Sequence, residues 1–185
     1  MSVSERKKQL RRVIKERKIS ITQDFIREAS AVIFNAIEQK KVFKQAEVIM
    51  AYWSMPGEVN THDFIQKWYR QKTILLPVIQ GELLTCKKFT GFEMLKREDK
   101  LGIFEPSGPD YKEWGEINLV IVPGVAFDRK NNRLGRGKAY YDKFLQVINA
   151  YKIGVCFDFQ LVDEVPSEDS DIKMDEVITN LSEIV

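Results

Sequence analysis

The chain has 185 residues, of which 44% are apolar and 30% charged, and a net charge of +2. A chain of that size buries roughly 70% of its unfolded surface, so it needs neither a metal nor a disulfide to fold. Near-neutral charge gives little overall pull on nucleic acid; the charged N-terminus lacks the apolar core of a secretory leader, and no apolar run approaches the roughly 20 residues that span a bilayer.

In chain order, residues 4–18 predict a helix with Leu10, Val13, Ile14 and Arg17 near one face. Residues 20–39 predict a second. Ser20 and Gln23 have the spacing of a capping box, and Phe25, Ala29, Val32, Ile33, Ala36 and Ile37 form the stripe. The run AEVIMAYW (46–53) is apolar throughout, the mark of a buried strand. Residues 61–71 open on Thr61, a good cap, and predict a helix. Strands are predicted at 73–79 and 82–89; the second alternates more and belongs nearer an edge. The stretch 102–116 is rich in Gly, Pro and aromatics and is expected to cover a site. The strongest strand is 117–127, followed by a helix at 138–149, a buried strand at 152–157 and a short strand at 176–179. Cys86 and Cys156 lie far apart among apolar neighbours and read as reduced core residues of a cytoplasmic protein.

Alternating strands and helices, with strands apolar on both faces, imply a mainly parallel sheet covered on each side: an α/β/α sandwich, one domain over 1–185. Ligands in such sheets sit outside the carboxyl ends of strands. Two loops qualify, SMPGEVN after 46–53 and DRKNNRLGRGK after 117–127.

The second loop carries chemistry. Gly135 and Gly137 flank Arg136 just before a helix, with Arg133 and Lys138 beside them. Glycine lets backbone N–H groups approach a ligand, a helix N-terminus adds free donors, and the cations add charge, which together suit a polyanion such as a triphosphate. Asp142, one turn after Lys138, is placed to hold a divalent cation or to be an ordinary helix-surface partner. The same residues also fit a solvated basic loop. The spacing is not that of a Walker A loop, and no GxGxxG is present. His62 is the sole histidine and reads as a surface or cap residue, so a catalytic triad or a zinc site lacks its parts.

VPGVAFD followed by RLGRGKAYYDKFL resembles the hallmark of the 5-formyltetrahydrofolate cyclo-ligase family. KKQLR (7–11), SMPGEVNT (54–61), GIFEP (102–106) and VPSEDSDIKMDEVIT (165–179) resemble its other segments, in order, over nearly the whole chain. Two positions depart from the pattern: Ala139 stands where a glycine is usual, and Ser170 where a histidine is common. The added methyl of Ala139 matters if that backbone takes a positive φ.

The resemblance implies a three-layer sandwich of the NagB/RpiA/CoA transferase-like kind. It also implies ATP- and Mg²⁺-dependent cyclisation of 5-formyltetrahydrofolate, in a cytoplasmic monomer without nucleic-acid or membrane partners. By resemblance, Lys7, Lys8, Gln9, Leu10 and Arg11 form an N-terminal ATP-contacting segment, and Arg133, Leu134, Gly135, Arg136, Gly137, Lys138, Ala139, Tyr140 and Tyr141 the nucleotide loop. Arg136 and Lys138 take the catalytic role of neutralising the transferring group. Trp53 and Glu58 fall on folate-contacting positions, joined by the stretch from Arg136 to Tyr140. A carboxylate suits the N–H donors of a pterin, and an indole offers it a flat wall. Met55, Phe104 and Tyr141 extend the apolar wall, with Glu105 as a structural or binding residue. Asp142 and Asp175 look like the magnesium carboxylates.

Overall fold

A computed structural model describes residues 1–97 and 104–181. Helix α1 spans Val3–Arg17 and starts at a reciprocal cap: Ser2 Oγ accepts from Glu5 N at 3.2 Å while the Glu5 carboxylate accepts from Ser2 N at 2.7 Å. Helix α2, Gln23–Gln39, is capped by Thr22, whose hydroxyl accepts from Phe25 N at 3.1 Å. The expected Ser20 cap is thereby corrected, because Ser20 lies in a single 3-10 turn, Lys18–Ser20, and turns its hydroxyl back to Arg17 O. The buried face of α2 is Ile26, Ala29, Ser30, Ile33, Phe34, Ala36 and Ile37, while Val32 faces solvent.

The remaining elements follow as α3 (Lys41–Gln45), β1 (Val48–Met50), α4 (His62–Trp68), β2 (Thr73–Gln80), β3 (Leu83–Lys88), β4 (Leu95–Arg97), β5 (Phe104–Pro106), β6 (Leu119–Pro123), β7 (Ala126–Asp128), β8 (Arg133–Leu134), α5 (Tyr140–Leu145), β9 (Tyr151–Val155), β10 (Leu161–Val162) and β11 (Glu176–Ile178). The main sheet has six strands in the order β11-β9-β6-β1-β2-β3, parallel except for the antiparallel edge strand β3.

Side-chain alternation splits the core in two. Ile49, Ile74, Leu76, Leu119, Ile121 and Ile153 face α2, α3 and α4. Met50, Leu75, Val120 and Val122 face the opposite way, onto Phe144 and Leu145 of α5. A small third cluster of Ile14, Ala126, Leu134 and Val165 seats α1 against β7 and β8. Cys86 and Cys156 are buried and unbonded. No described helix is long and apolar enough to cross a membrane.

Three expectations change. The strand expected at 117–127 breaks after Pro123; the chain crosses Gly124, where an added Cβ would meet the Phe127 ring at 2.5 Å, and β7 leaves to pair with β8 and β10. The stretch expected as a loop over 102–116 carries β5, which pairs with β4; Gly102 and Ile103 lie outside the described residues. The helix expected from 138 begins only at Tyr140 and ends at Leu145.

The late start has a backbone cause: Ala139 sits at φ 54°, ψ 15°, the left-handed region, after Gly137 at φ 100°. A Cβ in that region costs about 1 kcal/mol relative to glycine. Ala139→Gly is therefore expected to raise the unfolding free energy by about 1 kcal/mol, read as a higher urea midpoint at unchanged slope. An equal or lower midpoint would show that position 139 is not strained.

Candidate active site

A cleft of about 260 Å³ opens at the carboxyl ends of β1, β2 and β6. Two loops build it. The first runs from Tyr52 to Thr61 and is tied down internally. Tyr52 Oη donates to Val59 O at 2.9 Å, Thr61 Oγ1 donates to Tyr52 O at 2.5 Å, and Ser54 and Thr61 exchange backbone-to-hydroxyl bonds at 3.2 Å each. Thr61 thus spends its hydroxyl on the loop rather than on capping α4. Pro56 and Gly57, the latter at φ 80°, make the middle of a turn closed by Glu58 N to Met55 O at 3.1 Å. That turn aims the Glu58 carboxylate into the cleft, where Oε2 accepts from Met55 N at 2.9 Å.

The second loop joins β8 to α5. Arg133 is buried, its side chain only 4% exposed. Its Nη2 donates to Asp142 Oδ2 at 2.8 Å and its Nη1 to Pro123 O at 3.2 Å, and the guanidinium lies over the Tyr141 ring. Arg133 is therefore committed to the frame, although it lines the cleft together with Asp142 and its Nε has no partner among the described residues. Leu134 belongs to the small core, so its side chain is also structural. Gly135, Arg136, Lys138, Ala139, Tyr140 and Tyr141 also line the cleft, while Gly137 and Leu134 do not. Arg136 reaches across it, with Nη2 2.5 Å from Glu58 Oε1 and Nη1 3.2 Å from Met55 Sδ. Lys138 is exposed on the rim and makes no hydrogen bond among the described residues. Tyr141 Oη is buried with no partner among the described residues, and burial raises its pKa far above that of a free tyrosine.

The walls are aromatic. Trp53 lines the cleft with its other side covered by His62, the ring centroids 3.9 Å apart and nearly parallel. His62 is thus half-buried packing behind the indole, not a surface residue; burial lowers its pKa, partly opposed by its contact with Ser54 O. Phe104 closes one side, and Glu105 accepts from Ile79 N at 3.2 Å, which pins β5 across β2.

The N-terminal segment is only partly at the site. Arg11 Nε donates to Gly135 O at 2.9 Å, and its guanidinium lies 3.5 Å from where a Cβ on Gly137 would stand. Lys7 instead bridges Asp171 at 2.6 Å and Glu168 at 3.0 Å. Lys8 and Gln9 point to solvent, and Leu10 packs on the small core.

The expected carboxylate pair does not form. Asp142 has Oδ2 on Arg133 and Oδ1 accepting from Ile172 N at 3.3 Å. Asp175 binds Lys152 N at 2.7 Å and Lys152 Nζ at 3.0 Å, at the amino ends of β9 and β11, the sheet edge opposite the cleft. Among the described residues no group of three or more His, Cys, Asp or Glu is arranged to hold a metal ion. Asp142 and Asp175 therefore do not fit a shared magnesium site.

The arrangement presents exposed cations and glycine amides on one rim and a carboxylate with an aromatic wall on the other. A model of the 5-formyltetrahydrofolate cyclo-ligase family matches residues 3–180. The chain belongs to that family. Among relatives, a probable 5-formyltetrahydrofolate cyclo-ligase of Caenorhabditis elegans is 27% identical over 96% of this chain and 94% of its own length. The 5-formyltetrahydrofolate cyclo-ligase of Escherichia coli K12 is 33% identical over 72% of this chain and 78% of its own. The solved structure of Aquifex aeolicus 5,10-methenyltetrahydrofolate synthetase matches with a TM-score of 0.85 at 27% identity, covering 95% of this chain and 90% of that one. A Mycoplasma pneumoniae structure at 22% identity, TM-score 0.74, shares the fold. As a member of the cyclo-ligase family the chain is an enzyme.

One organising residue escaped the sequence, although it stands inside the VPGVAFD motif. Asp128 is fully buried and accepts from Lys130 N at 2.9 Å, Asn132 N at 3.0 Å, Asn132 Nδ2 at 2.9 Å and Val165 N at 2.9 Å. It fixes the turn that delivers Arg133. Burial pushes its pKa up, but the side-chain and backbone hydrogen bonds outweigh that, and the net pKa is lowered. The stabilisation is therefore complete above the unfolded value of about 3.9 and is lost as pH falls through the lower folded value. Asp128→Ala is expected to lower the unfolding free energy by about 2–4 kcal/mol by orphaning those donors. Asp128→Asn should flatten the acid limb of a pH series of urea titrations, and an unchanged limb would contradict the assignment.

Proposed function

We propose that this enzyme catalyses the ATP-dependent cyclisation of 5-formyltetrahydrofolate to 5,10-methenyltetrahydrofolate, releasing ADP and phosphate. The contact between Arg136 and Glu58 carries this reading: it sets the cationic glycine turn against the carboxylate of the aromatic hollow. Relatives named for the same conversion support it.

A formyl oxygen is a poor leaving group. Transfer of the γ-phosphoryl to that oxygen turns it into a phosphate ester; N10 then attacks the activated carbon, the ring closes, the C–O bond breaks and phosphate departs, taking up the proton that N10 loses. Little acid–base chemistry is required, so the protein's tasks are alignment and charge neutralisation. Glu58 takes the pterin N–H groups, Trp53 covers the ring, and Arg136 and Lys138 meet the phosphoryl oxygens, with Arg11 steadying the turn from behind. Arg136 is 57% exposed, and an ion pair at such a site contributes only about 0–1 kcal/mol. It can therefore leave Glu58 for a phosphate at small cost. Magnesium, in this reading, arrives with the triphosphate rather than on the Asp142–Asp175 pair. Two buried free thiols suit a reducing, cytoplasmic setting.

The near-ultraviolet absorbance of methenyltetrahydrofolate tests the proposal. Product should appear only with ATP and 5-formyltetrahydrofolate together, and its absence at high enzyme concentration would end the proposal. Arg136→Ala and Lys138→Ala are expected to lower kcat by roughly 100-fold or more through lost neutralisation. Glu58→Ala should act mainly by raising KM for the folate.

A further inference from the structure

Lys18 has no role in anything described so far, yet its position is unusual. It opens the 3-10 turn that follows α1 and is half-buried. With Tyr52, Glu58, Pro123 and Gly124 it lines a narrow crevice, and those four residues also line the main cleft. The crevice is thus the cleft's floor. Gln160, buried below, fixes that floor by donating to Gly124 O at 3.1 Å and Val125 O at 2.9 Å. The Lys18 ammonium has no hydrogen-bond acceptor among the described residues. Burial lowers its pKa, Glu58 raises it and Arg136 lowers it further, so the carboxylate has one cation on the rim and another beneath. The ammonium is not sealed from water, and with no protein acceptor it is free to donate to a ligand atom that enters the crevice.

The chemistry of a reduced pterin says which atom that is. Along one ring edge the pterin presents the 2-amino N–H, then N3–H, then the 4-oxo oxygen. A carboxylate pairs with the two donors. The neighbouring 4-oxo oxygen then stands beside the carboxylate and needs a donor of its own.

We propose that Lys18 is a substrate-recognition residue, its ammonium donating to the 4-oxo oxygen of a reduced pterin whose 2-amino and N3 edge is held by Glu58. This role rests on the folate reading above. It also fits the movement of Arg136 to phosphate: Lys18 stays behind, so Glu58 keeps a counter-charge throughout.

Equilibrium binding without ATP, followed by Trp53 fluorescence, tests it with two pteridines: 5-formyltetrahydrofolate and its 4-amino-4-deoxy counterpart. The wild-type protein is expected to prefer the 4-oxo compound. Lys18→Met should weaken 5-formyltetrahydrofolate by roughly 10-fold or more and scarcely alter the 4-amino compound, so that the preference collapses. Lys18→Arg, which keeps a cationic donor, should restore most of it. In turnover assays Lys18→Met should raise KM for the folate and leave KM for ATP unchanged. If Lys18→Met does not fold, Lys18→Gln is measured in the same way, with a reduced preference expected. An equal loss for both pteridines, or an unaltered preference, would overturn Lys18's role alone. A wild-type protein that binds neither compound would overturn that role together with the folate function.

Discussion

The site depends on one buried ion pair. Arg133 and Asp142 meet at 2.8 Å with side chains 4% and 15% exposed, and they stand on either side of the glycine turn. Breaking such a pair strands a charge in the interior, at a cost of about 3–5 kcal/mol. The segment between them is therefore a short bridge with both footings fixed. Within it Gly137 and Ala139 take left-handed backbone, and Arg136 and Lys138 project outward. Fixed ends place both cations on one rim, where Lys138 has no hydrogen-bond partner among the described residues and Arg136 is held only by exposed contacts to Glu58 and Met55.

The two rims of the cleft are built differently. The Tyr52–Thr61 loop is closed by its own hydrogen bonds and backed by the Trp53–His62 stack. It is preformed, as suits the recognition of a flat, rigid ring system. The opposing rim carries long side chains whose contacts are weak and exposed, as the proposed phosphoryl transfer would require. The strand break after Pro123 connects the rims: it opens a gap over Gly124 at the sheet's carboxyl edge and frees β7 to carry Asp128 and the following turn.

Much of this was legible in the sequence. Continuous apolar runs marked the parallel strands, and alternation marked β3 as the edge. Arg136 and Glu58, 78 residues apart, were placed together by the order of short motifs, and the structure joins them. What stayed hidden depended on three-dimensional competition. Arg133 looked like a ligand cation, because no sequence pattern tells that Asp142 claims it. Asp175 looked like a partner for Asp142, but the register of β11 beside β9 carries it to the far edge of the sheet, where Lys152 holds it. Lys18 lies in a run of charges whose periodicity says only that a helix is ending. Its burial comes from loops more than thirty residues away.

The ties of α1 reach far along the chain. Arg6 meets Glu164, Lys7 meets Asp171 and Glu168, Arg11 meets Gly135 O, and Arg17 meets Phe159 O, at separations of 124 to 164 residues. These ties of α1 all run to residues between 135 and 171. Contacts of such sequence separation form late in folding, because the loop-closure entropy between them must be overcome first. The bond from Arg11 to Gly135 O, which steadies the glycine turn, is therefore expected to close after the strand pairs of shorter separation have formed.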